Sequence, residues 1–136
     1  MGGSVTDSVT RMLAGDAASR GLGIEVRDVS EGAATATMTI RPDMVNGHGI
    51  THGAFVFAVA DTAFACACNS HGPLTVAAAV DITFVAPSRA GDVLEARAAE
   101  RTRFGRSGIY DVTVRRGDDV IAEFRGTSRT IGKDPA

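Results

Sequence analysis

Between Asp43 and Asp81 the chain carries a single Asp, Glu, Lys or Arg side chain, Asp61, in the middle of the run Gly53 to Asn69 (Gly-Ala-Phe-Val-Phe-Ala-Val-Ala-Asp-Thr-Ala-Phe-Ala-Cys-Ala-Cys-Asn). The run has the length of a helix and is apolar on nearly every face. Such a helix must be enclosed, because a helix lying on a surface keeps one polar side. Whatever fold forms has to wrap around this segment. An unpaired carboxylate inside it is costly, or is forced toward its neutral form, so Asp61 points to a partner or to a chemical task. The run follows Asn46-Gly-His-Gly-Ile-Thr-His52, a glycine-rich turn, and its first N–H groups have no acceptor within the helix. Asn69-Ser-His-Gly72 followed by Pro73 is a stop signal.

The flanking sequence predicts what does the wrapping. In residues 5–21, Val9, Met12, Leu13 and Ala17 recur at helical spacing, giving one short helix or two, closed by Gly21 or Gly23. Residues 24–29 alternate as a strand, Ser30-Glu-Gly32 turns, and 33–40 form a second strand ending before Pro42. After the long helix four strands are expected: 76–85, 93–100, 109–115 and 120–130. Between them lie Ser88-Arg-Ala-Gly91, a basic turn over 101–106, and Gly117-Asp118-Asp119. In the last strand Val120, Ala122, Phe124 and Gly126 share one face, and Ile121, Glu123 and Arg125 the other. Hairpin connections imply a mostly antiparallel sheet. The predicted class is α+β, a curved antiparallel sheet around one long central helix. Open edges predict pairing with a second copy.

With 136 residues, one domain covering 1–136 is expected, comprising an N-terminal helical segment over 1–21 and a flexible tail over 132–136. A net charge of −2 gives no general pull toward nucleic acid or membranes. No secretory pattern heads the sequence, and the apolar run is too short to span a bilayer. A cytoplasmic protein is the expectation. Cys66 and Cys68, two positions apart on a helix, point away from each other and read as small buried thiols.

The element order, together with Asn46-Gly-His-Gly-Ile-Thr-His-Gly53, Asp61-Thr-Ala63, Cys68-Asn-Ser-His-Gly72, Val80 to Pro87 and Phe124-Arg-Gly-Thr-Ser128, resembles the hotdog-fold acyl-CoA thioesterases of the PaaI type, linked to phenylacetic acid catabolism. The resemblance runs along nearly the whole chain. It implies hydrolysis of an aryl- or short-chain acyl-CoA to free acid and CoA, with phenylacetyl-CoA or a ring-hydroxylated relative as the favoured substrate. It implies that the Gly53 N–H polarises the thioester carbonyl, as a helix start suits a developing oxyanion. Asp61 would act as nucleophile or as general base, and Asn46 would help hold the thioester. Gly53 and Asp61 are ~12 Å apart along the helix and ~80° around it. They therefore cannot serve one acyl group within a chain, so a homodimer with shared sites is expected, and the resemblance implies that two such dimers pair into a homotetramer.

His52 is expected to order the loop beside the substrate. His48 and His52 have no third ligand, so no metal is expected, nor any cofactor beyond the substrate's own CoA. Phe57 and Phe64 flank Asp61 at i−4 and i+3; they line the acyl pocket or belong to the core. For CoA phosphates, Arg89, Arg101, Arg103 and Arg106 lie in or beside turns, with Gly105-Arg106-Ser107 the best single candidate. Aryl-acting relatives carry an aromatic residue where this chain has Cys66, which leaves the acyl group open. Two other readings remain: a non-catalytic acyl-CoA binder or sensor, and a hotdog hydratase or dehydratase.

Overall fold

The computed structural model describes residues 5–132; most of the expected 132–136 tail lies outside the described residues. Two helices, α1 (Val5–Ala14) and α2 (Ala17–Gly21), precede strands β1 (Glu25–Ser30) and β2 (Ala33–Thr39). A single 3-10 turn (Pro42–Met44) and a glycine-rich loop lead into α3 (Gly53–Asn69). Strands β3 (Thr75–Phe84), β4 (Val93–Phe104), β5 (Ser107–Arg116) and β6 (Asp119–Thr130) complete the chain. All strand pairs are antiparallel, in one six-stranded sheet of order β1-β2-β4-β5-β6-β3. The curved sheet packs against α3, as the apolar run requires.

The core is the layer between α3 and the inner face of the sheet. Val59, Ala60, Ala63 and Ala67 of α3 meet Ala36, Leu94, Ala96, Val112 and Val114, all essentially inaccessible. Small residues on the helix let it lie close to the strands. The outer face is polar and cross-linked by Arg125–Asp111 (2.6 and 2.8 Å) and by Arg27–Glu95. At the far end of α3, the Asn69 side chain donates to the carbonyls of Ala65 and Thr75 (2.9 Å each) and accepts from Thr75 N–H (3.0 Å). That clamp fixes the angle at which β3 leaves the helix.

Three sequence expectations need correction. Residues 101–104 are strand rather than turn. Arg101 is extruded as a bulge between Glu100 and Thr102, pairing with β5 resumes beyond it, and the turn shrinks to Gly105-Arg106, with Gly105 at φ +56°. Strand β5 accordingly starts at Ser107. Ile121 is buried beside Ala122 rather than sharing the exposed face with Glu123 and Arg125. Val114 pairs with Ala122 but Arg115 with Val120, so Ile121 is the extra residue of a bulge, which places two consecutive side chains inward.

β3 is an edge strand exposed along most of its length, with Val76, Phe84 and neighbouring Val85 all at least 40% accessible. On α3, Ala54, Ala58, Asp61 and Ala65 fall at helical spacing on the side that the sheet leaves partly open. Among the described residues no helix is long and apolar enough to cross a membrane.

Candidate active site

The loop before α3 is built by its own side chains. Asn46 Oδ1 accepts from the N–H groups of His48 (2.9 Å) and Ile50 (3.1 Å), while Asn46 N–H donates to the Ile50 carbonyl (2.7 Å). The amide oxygen is thus spent on holding the loop, and Nδ2 is left to donate elsewhere. Thr51 is pinned to the segment after β3 by its N–H to the Ser88 carbonyl (2.8 Å) and by a buried hydroxyl pair, Ser88 Oγ to Thr51 Oγ1 (2.7 Å). His52 donates its N–H to the Met44 carbonyl (2.8 Å), and its ring Nδ1 caps the helix by accepting from Ala54 N–H (3.3 Å).

These contacts leave one donor over. The Gly53 N–H, first of α3, meets no acceptor among the described residues. It stands at the positive end of a 17-residue helix. Beside it an open, mostly apolar cleft of about 440 Å³ runs between the loop and the end of β3, lined by Ile50, Val56, Phe84, Val85 and Pro87 among others. The Phe84 ring lies over Gly53: a Cβ there would sit 2.9 Å from Phe84 Cζ. Glycine is therefore what this contact accommodates.

Asp61 lies two turns along α3, half-buried, and among the described residues its carboxylate receives no hydrogen bond and no ion pair. Burial pushes its pKa up from the ordinary aspartate value, and the negative charge of Asp16 pushes it further. A carboxylate that is raised, unpaired and still reachable is equipped to take a proton or attack an electrophile. Within one chain Gly53 and Asp61 remain two turns apart, as the spacing requires.

The other candidates separate into distinct places. Phe57 packs on Phe124 (5.6 Å between centroids) yet keeps part of its ring accessible. Phe64 is 1% exposed and enclosed by Tyr110, Phe124 and Gly126, so its ring belongs to the core. Arg89 sits against the loop, its guanidinium 3.4 Å from the Gly49 carbonyl. Arg106 and Ser107 lie at the other end of α3, around a small recess that also takes in Cys68, His71 and Arg103. Cys66 and Cys68 are buried, and burial pushes both thiols up to about 12.

Sequence reading did not foresee two groupings. His71, seen only as part of a helix stop, bonds Glu100 through Nε2 (2.7 Å), and the buried Tyr110 hydroxyl donates to the same oxygen (2.8 Å). Burial alone would raise the Glu100 pKa, but these hydrogen bonds and the nearby charges outweigh it and hold the carboxyl low. The second is Asp16, Ser19 and Thr62, which join α2 to α3 beside Asp61. Neither leaves a local pattern, since each links residues far apart in the chain.

The family model described as the thioesterase superfamily matches residues 48–123, from His48 in the loop through α3 and β3 to β5 into the start of β6. The chain is 44% identical over 122 residues to the acyl-coenzyme A thioesterase PaaI of Escherichia coli (strain K12), covering 89% of this chain and 87% of that protein. It is 32% identical over 114 residues to a putative esterase of Archaeoglobus fulgidus, covering 83% and 74%. Among solved structures, the E. coli PaaI protein from the phenylacetic acid degradation operon superposes with a TM-score of 0.93 at 40% identity, over 96% of this chain and 95% of that one. A variant of the phenylacetic acid degradation protein PaaI from Thermus thermophilus gives 0.80 at 35% identity, over 83% and 97%. The helix-and-sheet architecture is thus the hotdog fold.

Proposed function

The chain belongs to the thioesterase superfamily, and from that premise we propose that it hydrolyses an acyl-CoA thioester to free acid and CoA. Aryl- and short-chain acyl groups are the substrate class, with phenylacetyl-CoA or a ring-hydroxylated relative favoured. The observation that carries the reading is the pair of unsatisfied groups on α3: a free Gly53 N–H at its start and an unpaired Asp61 on its open side.

The thioester carbonyl oxygen accepts the Gly53 N–H, and the helix dipole stabilises the negative charge that grows there. Asn46 Nδ2 supplies a second donor nearby. Asp61 either takes a proton from the attacking water or attacks the carbonyl itself to give an anhydride that water then opens. The tetrahedral intermediate collapses by expelling the CoA thiolate. His52 keeps the loop in register as the cap of α3, and Phe57 offers an apolar wall to the acyl group.

Two copies complete the site. The exposed edge of β3 invites pairing with a second β3. The stripe of Ala54, Ala58 and Ala65 lets two α3 helices approach closely in antiparallel fashion. Gly53 of one subunit then lies beside Asp61 of the other, and a symmetric dimer carries two sites. Pairing of two such dimers gives a tetramer. Arg89 at the loop and Arg106-Ser107 at the far helix end are the candidate anchors for CoA phosphates. The reaction needs no metal or redox cofactor, and a cytoplasmic setting suits a CoA-dependent step.

Release of free CoA from a panel of acyl-CoAs, followed with a thiol reagent, tests the proposal; both cysteines of the folded protein are buried and contribute little background. Turnover of arylacetyl-CoA above the straight-chain members of the panel is expected. Folded protein that binds acyl-CoA and releases no CoA would make it a binder instead.

A further inference from the structure

α2 is five residues long and is held by its cap rather than by its length: Asp16 Oδ1 accepts from Ser19 N–H (2.9 Å) and Oδ2 from the Ser19 hydroxyl (2.6 Å). Ser19 Oγ also lies 2.9 Å from Thr62 Oγ1, and both residues are buried. The Ser19 proton is committed to the carboxylate, so Thr62 is the donor in that second bond. The chain Thr62 to Ser19 to Asp16 therefore runs from the residue after Asp61 to a fixed negative charge on another element. Asp61 itself has no partner of its own among the described residues.

We propose that Asp16 and Ser19 are positioning residues for Asp61: the hydrogen-bonded chain fixes the turn of α3 that carries it and anchors a second carboxylate to that turn. This rests on the assignment of Asp61 as the base or nucleophile.

The surroundings leave this role to Asp16. β2 carries no titratable side chain, and Glu100 of β4 is engaged by His71 and by the Tyr110 hydroxyl of β5 at the far end of α3. On α2, Arg20 donates to the Ala14 carbonyl. Asp7 and Arg11 of α1 have interactions of their own. Burial of Asp61 and the charge of Asp16 each favour its neutral form. On α3 the nearest other titratable groups are Cys66 and Cys68, both held as neutral thiols by burial.

The test compares Asp16→Asn, Asp16→Glu and Ser19→Ala. Asparagine caps helices as well as aspartate, so the first variant removes the charge and keeps the cap. Its acid limb of kcat/KM against pH is expected to move to lower pH, because Asp61 then ionises more readily. Its kcat on the plateau should fall about 3- to 10-fold, as expected for a weaker base. Asp16→Glu keeps the charge and should keep the limb. Ser19→Ala keeps the charge but breaks the chain, and should lower kcat without moving the limb. Carboxyl titration of Asp61 by carbon-13 NMR in wild type and Asp16→Asn reads the same shift without turnover. A limb and a titration unchanged in Asp16→Asn, while Asp61→Asn is inactive, would overturn this inference and leave the hydrolase reading standing. Full turnover by Asp61→Asn would remove both.

Discussion

Asp61→Asn is expected to lower kcat for acyl-CoA hydrolysis by at least about 100-fold, a barrier rise of ~2.7 kcal/mol, and to raise thermal stability at pH 7. The two effects share one cause. Burial and the Asp16 charge raise the pKa of Asp61 in the folded protein, so ionising it opposes folding. Below the ordinary aspartate value of 3.8 the residue is neutral both folded and unfolded, and it makes no pH-dependent contribution. As pH rises through the raised folded pKa the penalty grows to its full size. Asparagine cannot ionise and escapes it, so the mutant should melt above wild type at neutral pH and the gap should close as pH falls toward 4. A carboxylate kept for structure would do the opposite, because its removal would break stabilising bonds. Melting curves at several pH values, beside the turnover assay, distinguish the two.

Phe64→Ala is expected to cost about 3–5 kcal/mol of stability, measured by urea unfolding. Its ring is 1% exposed, stacked edge-on against Tyr110 and tilted against Phe124, both at 5.6 Å. The third wall is the backbone at Gly126, where even a Cβ would come within 2.8 Å of the ring. Sheet backbone cannot collapse into the space that alanine leaves, so the cavity persists. Phe57→Ala should cost less, because that ring is already partly accessible, and should instead shift acyl-group preference. Stability in Phe64→Ala equal to wild type would mean that the ring does not hold helix to sheet.

The long helix was legible because its signals are local. Gly53 follows a loop built by Asn46, and the Asn69-Ser-His-Gly stop falls where α3 ends. The hairpins β1-β2, β4-β5 and β5-β6 were legible from their turns. The sheet order was not: placing β2 against β4 and β3 outside β6 depends on long connections that carry no pairing code. Two bulges also escaped. Alternation alone assigns Ile121 to the solvent side, and only the partner strand reveals the extra residue that turns it inward. At the site, Asp61 and Gly53 stood out, one as a lone charge in an apolar helix and the other as the first residue after a turn. Phe64 showed only that it lies near Asp61 in sequence; α3 is nearly surrounded, and the sheet decides which neighbour becomes core. Asp16 and Ser19 gave no warning, since Ser19 meets Thr62 across 43 positions.

The central claim is that each catalytic site takes Gly53 from one subunit and Asp61 from the other. Gly53→Pro removes that N–H at the first helix position, where the fixed φ of proline fits and His52, at ψ 133°, already has the backbone that precedes proline. The added ring pushes aside the exposed Phe84 side chain that lies over Gly53, a second lesion confined to the same half of the site. The decisive measurement is the hydrolase activity of a mixed dimer, isolated with two different tags, that pairs a Gly53→Pro subunit with an Asp61→Asn subunit. Shared sites place both lesions in one site and leave the other intact, predicting about half the wild-type activity per dimer, although each parent homodimer is nearly inactive. Activity in the mixed dimer no higher than in the parents would contradict the account and place both groups of each site within a single chain.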